Sequence, residues 1–152
     1  MERVAALLHI LGVTIWVGGM FFAYMALRPA AVQTLEPPQR LTLWAATFKR
    51  FFPWVWLCII AILGSGLYRV GLMGGFGAAG SHVLAMLTLG IVMMLVFFHV
   101  FFAPTRRLQR GVAAQDWKAA GAALAQIRIL IGLNLSIGIL VIFTATVGRL
   151  LF

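Results

Sequence analysis

The chain has 152 residues, 63% of them hydrophobic and 10% charged, with a mean hydropathy of +1.05 and a net charge of +9. No soluble domain of this size can bury so much apolar surface, so the composition excludes a water-soluble protein and indicates an all-α integral membrane protein. The basic residues cluster just outside apolar runs and form no free-standing stripe with interleaved aromatics, which speaks against nucleic acid and makes the lipid bilayer the first partner.

Four apolar runs follow in order: 4–27, 51–72, 82–103 and 129–148. A spanning helix needs about 20 apolar residues, and each run is long enough to cross with some tilt. Helices satisfy their own backbone groups in lipid, whereas barrel strands would need a polar inner face that these runs lack. The expected architecture is a four-transmembrane-helix antiparallel bundle, a single membrane domain over 1–152. The first run is too long for a signal-peptide core and opens on Glu2 and Arg3, so it reads as a span rather than a leader.

Between runs one and two lie Arg28, Arg40, Lys49 and Arg50, and between runs three and four lie Arg106, Arg107, Arg110, Lys118 and Arg128. Arg3, Arg69 and Arg149 fall on the opposite side. The positive-inside rule then makes both long connections cytoplasmic and both termini external, in a bacterial-type inner (plasma) membrane. Glu36-Pro37-Pro38 breaks any helix in the first connection. Beyond it, 39–50 carries Leu41, Trp44, Ala45 and Phe48 between basic ends, and Pro53 suits the first turn of the second span or a slight kink in it. Trp44, Trp54 and Trp56 suit the membrane interface. Gly74 to Ser81 is a short uncharged connection in which Ser81 suits a helix cap. The stretch 105–128 reads as helical, with Trp117 and its basic residues against the anionic leaflet. The last run is rich in Gly, Ser, Thr and Ala, a face that lets helices approach or a second copy pair, and its Asn134 is suited to joining helices. The single cysteine, Cys58, reads as a small buried hydrophobe.

The polar residues inside the runs carry the functional expectation. His9 lies within the first run, where an imidazole loses water and needs a partner. His82, at the outer start of the third run, shares its leaflet. His99, 17 residues further, is about 25 Å deeper and does not share one small site with His9, which makes it the weaker metal candidate. Two inward histidines on different helices, their nitrogens about 4 Å apart across an iron, are what an axially ligated haem b requires. Gly12, one turn after His9, leaves room for a flat ring, as do Gly18 and Gly19. Trp16 lies two turns along the same face, to pack on the ring edge or in the core. Met86 is an alternative soft ligand, and Arg69 suits a propionate. Two histidine ligands leave no open iron site, which favours electron transfer with a quinone, a redox partner protein or a small molecule. Copper is the other metal, since copper(I) takes thioether and imidazole ligands and the chain holds Met20, Met25, Met73, Met86, Met93 and Met94.

His9, Trp16 and Gly19, with Lys49-Arg50-Phe51-Phe52, Gly64-Ser65-Gly66-Leu67 and Gly80 to Met86, resemble the CopD-like and HemJ-like membrane proteins over most of residues 5–103. The resemblance to CopD implies copper resistance or uptake. That to HemJ implies a four-helix haem-b protein that oxidises protoporphyrinogen. Either implies a functional role for His9. The expectation from the whole reading is a haem b-binding redox protein held by His9 and His82, with copper transport or the oxidase activity as alternatives.

Overall fold

The first apolar run forms a helix whose ladder is forced out of register near its end. The computed structural model describes residues 1–147, and in it α1 spans Glu2–Phe22, followed by a π-helical turn, Ala23–Leu27, and α2, Arg28–Thr34. Pro29 has no N–H to give and its ring crowds the carbonyl four residues back. The chain answers with one wider turn, in which the Arg28 N–H bonds to the Ala23 carbonyl. Leu35 is extended, and α3 starts at once with Pro37 in its first turn and a capping box between Glu36 and Gln39.

α3 runs unbroken over Pro37–Leu72, 36 residues or about 54 Å. The stretch 39–50 is thus continuous with the second span, and Pro53 is an interior helical residue on an exposed face rather than the start of a helix. At the far end Gly74 and Gly75 take φ of 94° and 93°, and the Gly75 N–H bonds back to the Val70 carbonyl. That left-handed exit needs glycine. α4, Ser81–Phe102, is capped by Gly80, and the Ser81 side chain makes no cap hydrogen bond, contrary to the sequence expectation.

α5, Pro104–Ala113, and α6, Trp117–Thr146, complete the chain. The turn between them places Gln115 at φ 55° and lets the Asp116 carboxylate accept from the Ala119 N–H at 2.9 Å. Gly111 allows α5 to close on α6: a Cβ there would lie 2.9 Å from the Ala120 nitrogen. The connection 105–128 is therefore helical as expected, but as a hairpin that buries Leu108 and Ile127 completely while Arg106, Arg107 and Arg110 face outward.

The chain is a multi-pass membrane bundle. Four helical stretches are long and apolar enough to span, and no strand occurs among the described residues. Each extends past its apolar run in one direction: to Thr34, from Pro37, to Ala113 and from Trp117. All four extensions lie at the end that carries the basic connections, called the basic end below. Gly148, the last residue of the expected fourth span, and Arg149 lie outside the described residues.

α1 packs chiefly on α3, and α4 on α6. The two pairs meet through aromatic rings. Phe97 of α4 sits edge-on to Trp16 of α1 at 6.0 Å and to Phe52 and Trp56 of α3 at 5.3 and 5.6 Å. Phe52 continues a ladder through Phe48 to Trp44. In lipid the apolar effect does not drive helices together, so such interlocking is what holds the pairs. It also draws Trp44 and Trp56 inward, to the core and its margin, and leaves Trp54 as the exposed tryptophan of the expected interfacial set.

Candidate functional site

His9 is half-buried on α1, and its partner comes from α3. Its Nδ1 lies 3.0 Å from Ser65 Oγ. The Ser65 hydroxyl donates one turn back to the Ala61 carbonyl, so its hydrogen is committed. His9 Nδ1–H is then the donor to Ser65 Oγ, and Nε2 is left with a free lone pair. Gly66 lies against the ring, where a Cβ would sit in ordinary contact, 3.5 Å from His9 Cε1. Arg69 stands one turn beyond Ser65 on the same helix, half-buried.

The space expected at Gly12 is filled. A Cβ there would meet Ile62 Cγ1 at 2.9 Å and the Cys58 carbonyl at 3.3 Å, because α1 and α3 touch at this point. Gly12 therefore serves helix approach, not a flat ring. Gly19 is likewise closed by the Phe51 ring, whereas Gly18 is open. Trp16, 3% exposed, takes the core position of its two expected roles, against Phe97.

The other candidates stand apart from this seam. His82 is half-buried at the start of α4, its ring folded over Gly80. Met86 is half-buried one turn later. His99 is exposed at the basic end, where Gln126 Nε2 donates to its Nε2 at 3.4 Å while Gln126 Oε1 accepts from Arg107 at 2.8 Å. Among the described residues no three His, Cys, Asp or Glu side chains gather as a metal site. The sulfurs of Met20, Cys58, Met93 and Met94 belong to buried residues of the common core.

Two cavities lie elsewhere in the bundle. One, about 310 Å³, is at the basic end and is lined by Arg28, Arg40 and Arg128 with Tyr24, Trp44 and Trp117. The second, about 260 Å³, is apolar and lies nearer the middle, with Asn134 on its wall. Asn134 is 3% exposed and its Oδ1 has no hydrogen-bond partner, so it does not join helices as expected. Neither cavity is lined by His9 or His82.

Sequence reasoning found His9 but missed Ser65 as its partner. The signal was present: a hydroxyl between two glycines inside an apolar run marks a close helix contact. The gathering of three arginines around one cavity carried no local signal, since they come from three helices and Arg128 is far in sequence from the other two.

These features define a four-helix membrane bundle with one imidazole tied across its first helix pair. The chain belongs to the copper resistance protein D (CopD) family, whose model matches residues 45–148. No curated protein and no solved structure matches the chain. The match covers most of α3 with α4, α5 and α6 and omits α1, so it includes Ser65 but not His9. The resemblance read from 5–103 thus overlaps it over 45–103.

Proposed function

We propose that the protein handles copper as cargo within the membrane, and that His9 is the imidazole that meets the ion. The observation that supports this reading is the His9–Ser65 hydrogen bond. It holds one tautomer and leaves Nε2 as a fixed lone pair, the arrangement in which a second-shell acceptor orients a metal-ligating histidine. Copper(I) prefers imidazole and thioether donors, and the copper character of the family is the reason to favour it over other acceptors of that lone pair. The thioethers of Met20, Met93 and Met94 stand buried deeper in the same core and are the soft groups suited to take the ion further. By the positive-inside rule we place the basic end in the cytoplasm, which makes the His9 end the external entrance.

The test is copper accumulation and tolerance in cells expressing the full chain, with membrane insertion checked by immunoblot. His9→Ala abolishes the copper-dependent phenotype, and Ser65→Ala weakens copper binding by about 10–100-fold. Unchanged copper handling in inserted His9→Ala protein overturns the reading. Haem b, with His9 and His82 as axial ligands, would use the same Nε2. A Soret band in the purified protein that vanishes in His9→Ala would put haem in place of copper.

A further inference from the structure

At the basic end the charges are arranged around space. The larger cavity takes Arg28 from α2, Arg40 from α3 and Arg128 from α6. Arg28 and Arg40 are half-buried and Arg128 is exposed at the rim, and the Arg28 guanidinium lies 5.4 Å from the centre of the Tyr24 ring. Among the described residues no acidic side chain lines the cavity. The whole chain has three acids. Glu2 begins α1 at the opposite end, and Glu36 and Asp116 are committed to capping α3 and α6. Three arginines on the wall of one void, without a carboxylate beside them there, give it a positive potential that favours an anion. Guanidinium forks fit phosphate in particular.

The smaller, apolar cavity adjoins this one, and Ala23, Phe48 and Ile131 line both. Its other walls include Leu27, Val96, Val100 and Leu130. Val32 and Phe22, 54% and 59% exposed, stand on the rims of the larger and smaller cavity. Both therefore open toward the surface of the bundle. A basic mouth beside an apolar slot, at the end of the bundle that carries the basic connections, matches an amphiphile in both charge and polarity.

We propose that the two adjoining cavities together hold one anionic phospholipid, its phosphate among Arg28, Arg40 and Arg128 and one acyl chain passing Ile131 into the apolar slot. The site lies away from His9 and does not depend on the copper reading. A bound lipid here ties α2, α3 and α6 together.

The full chain is purified in mild detergent and incubated with phosphatidylglycerol, with phosphatidylcholine of the same acyl chains, or with inorganic phosphate. Bound lipid is counted by native mass spectrometry. One phosphatidylglycerol is retained, about tenfold or more in preference to phosphatidylcholine. The variant with Arg28→Gln, Arg40→Gln and Arg128→Gln loses that preference. A control with Arg50→Gln, Arg106→Gln and Arg110→Gln, which removes the same charge from exposed positions outside the cavity, keeps it. Ile131→Trp, which blocks the junction and leaves the arginines, also loses the lipid; Leu130→Trp serves if that protein does not fold. Equal retention of the two lipids overturns the proposal, as does equal loss in the control. Displacement of phosphatidylglycerol by inorganic phosphate, or full retention in a folded Ile131→Trp protein, would show a simple anion site and overturn it too.

Discussion

The two ends of the bundle treat polar groups in opposite ways. At the His9 end a single imidazole lies in a helix–helix seam, where Gly12 lets α1 and α3 approach closely and Ser65 gives it a hydrogen bond. At the basic end three arginines from three helices surround a cavity that protein atoms leave unfilled. The difference lies in what surrounds them. Hydrocarbon offers no hydrogen bonds, so the half-buried imidazole must find its partner within the protein. Near the interface, water and lipid headgroups are available, and charges can gather without protein partners.

The aromatic junction between the ends gives the largest expected effect. Phe97→Ala removes the ring that meets Trp16, Phe52 and Trp56, and should cost about 3 kcal/mol. Both ends should loosen together in detergent unfolding; a loss confined to one end would show that the helix pairs are independent. Gly12→Val tests the seam alone. Its side chain must displace Ile62 or the α3 backbone, and about 1–3 kcal/mol of overpacking is expected, without change in lipid retention at the basic end. Wild-type thermal stability in this variant would refute the close approach.

Ser65→Ala should cost about 1 kcal/mol, in the range for hydrogen bonds between membrane helices. Its signature is in the His9 ring nitrogens: NMR should show a single tautomer in the wild type and a mixture in the variant. One tautomer in both would mean that Ser65 does not orient the ring. Asn134→Leu should have the smallest effect, between neutral and about 1 kcal/mol stabilising, because Oδ1 is buried without a partner. A clear destabilisation would reveal a partner inside the apolar cavity and make the middle of the bundle resemble the His9 end.

Particular residues show where sequence reading succeeded. The four runs were legible because 20-residue apolar stretches have few alternatives to a spanning helix. Pro37 and Glu36 were legible as a break because proline constrains its own backbone locally. The extensions beyond the runs were harder. Residues 39–50 and 105–128 are polar enough to leave hydrocarbon yet stay largely helical, and the burial of Leu108 and Ile127 goes with the α5–α6 hairpin closing at Gly111. Trp44 looked interfacial because a tryptophan flanked by basic residues suits a headgroup layer, yet the ladder with Phe48 and Phe52 turns it inward.

Gly12 shows the same divide within the candidate site. A small residue one turn from a histidine signals close approach of something, and a flat ring and a neighbouring helix leave the same mark in sequence. Which of the two it is depends on where α3 lies, and there Ile62 and the Cys58 carbonyl fill the gap. Composition and hydropathy were enough to establish a four-helix membrane protein and to single out His9, because solvation in lipid is a property each residue carries by itself. The partner of His9, the use of each glycine and the meeting of Arg28, Arg40 and Arg128 were decided by tertiary structure, because each depends on which helix faces which.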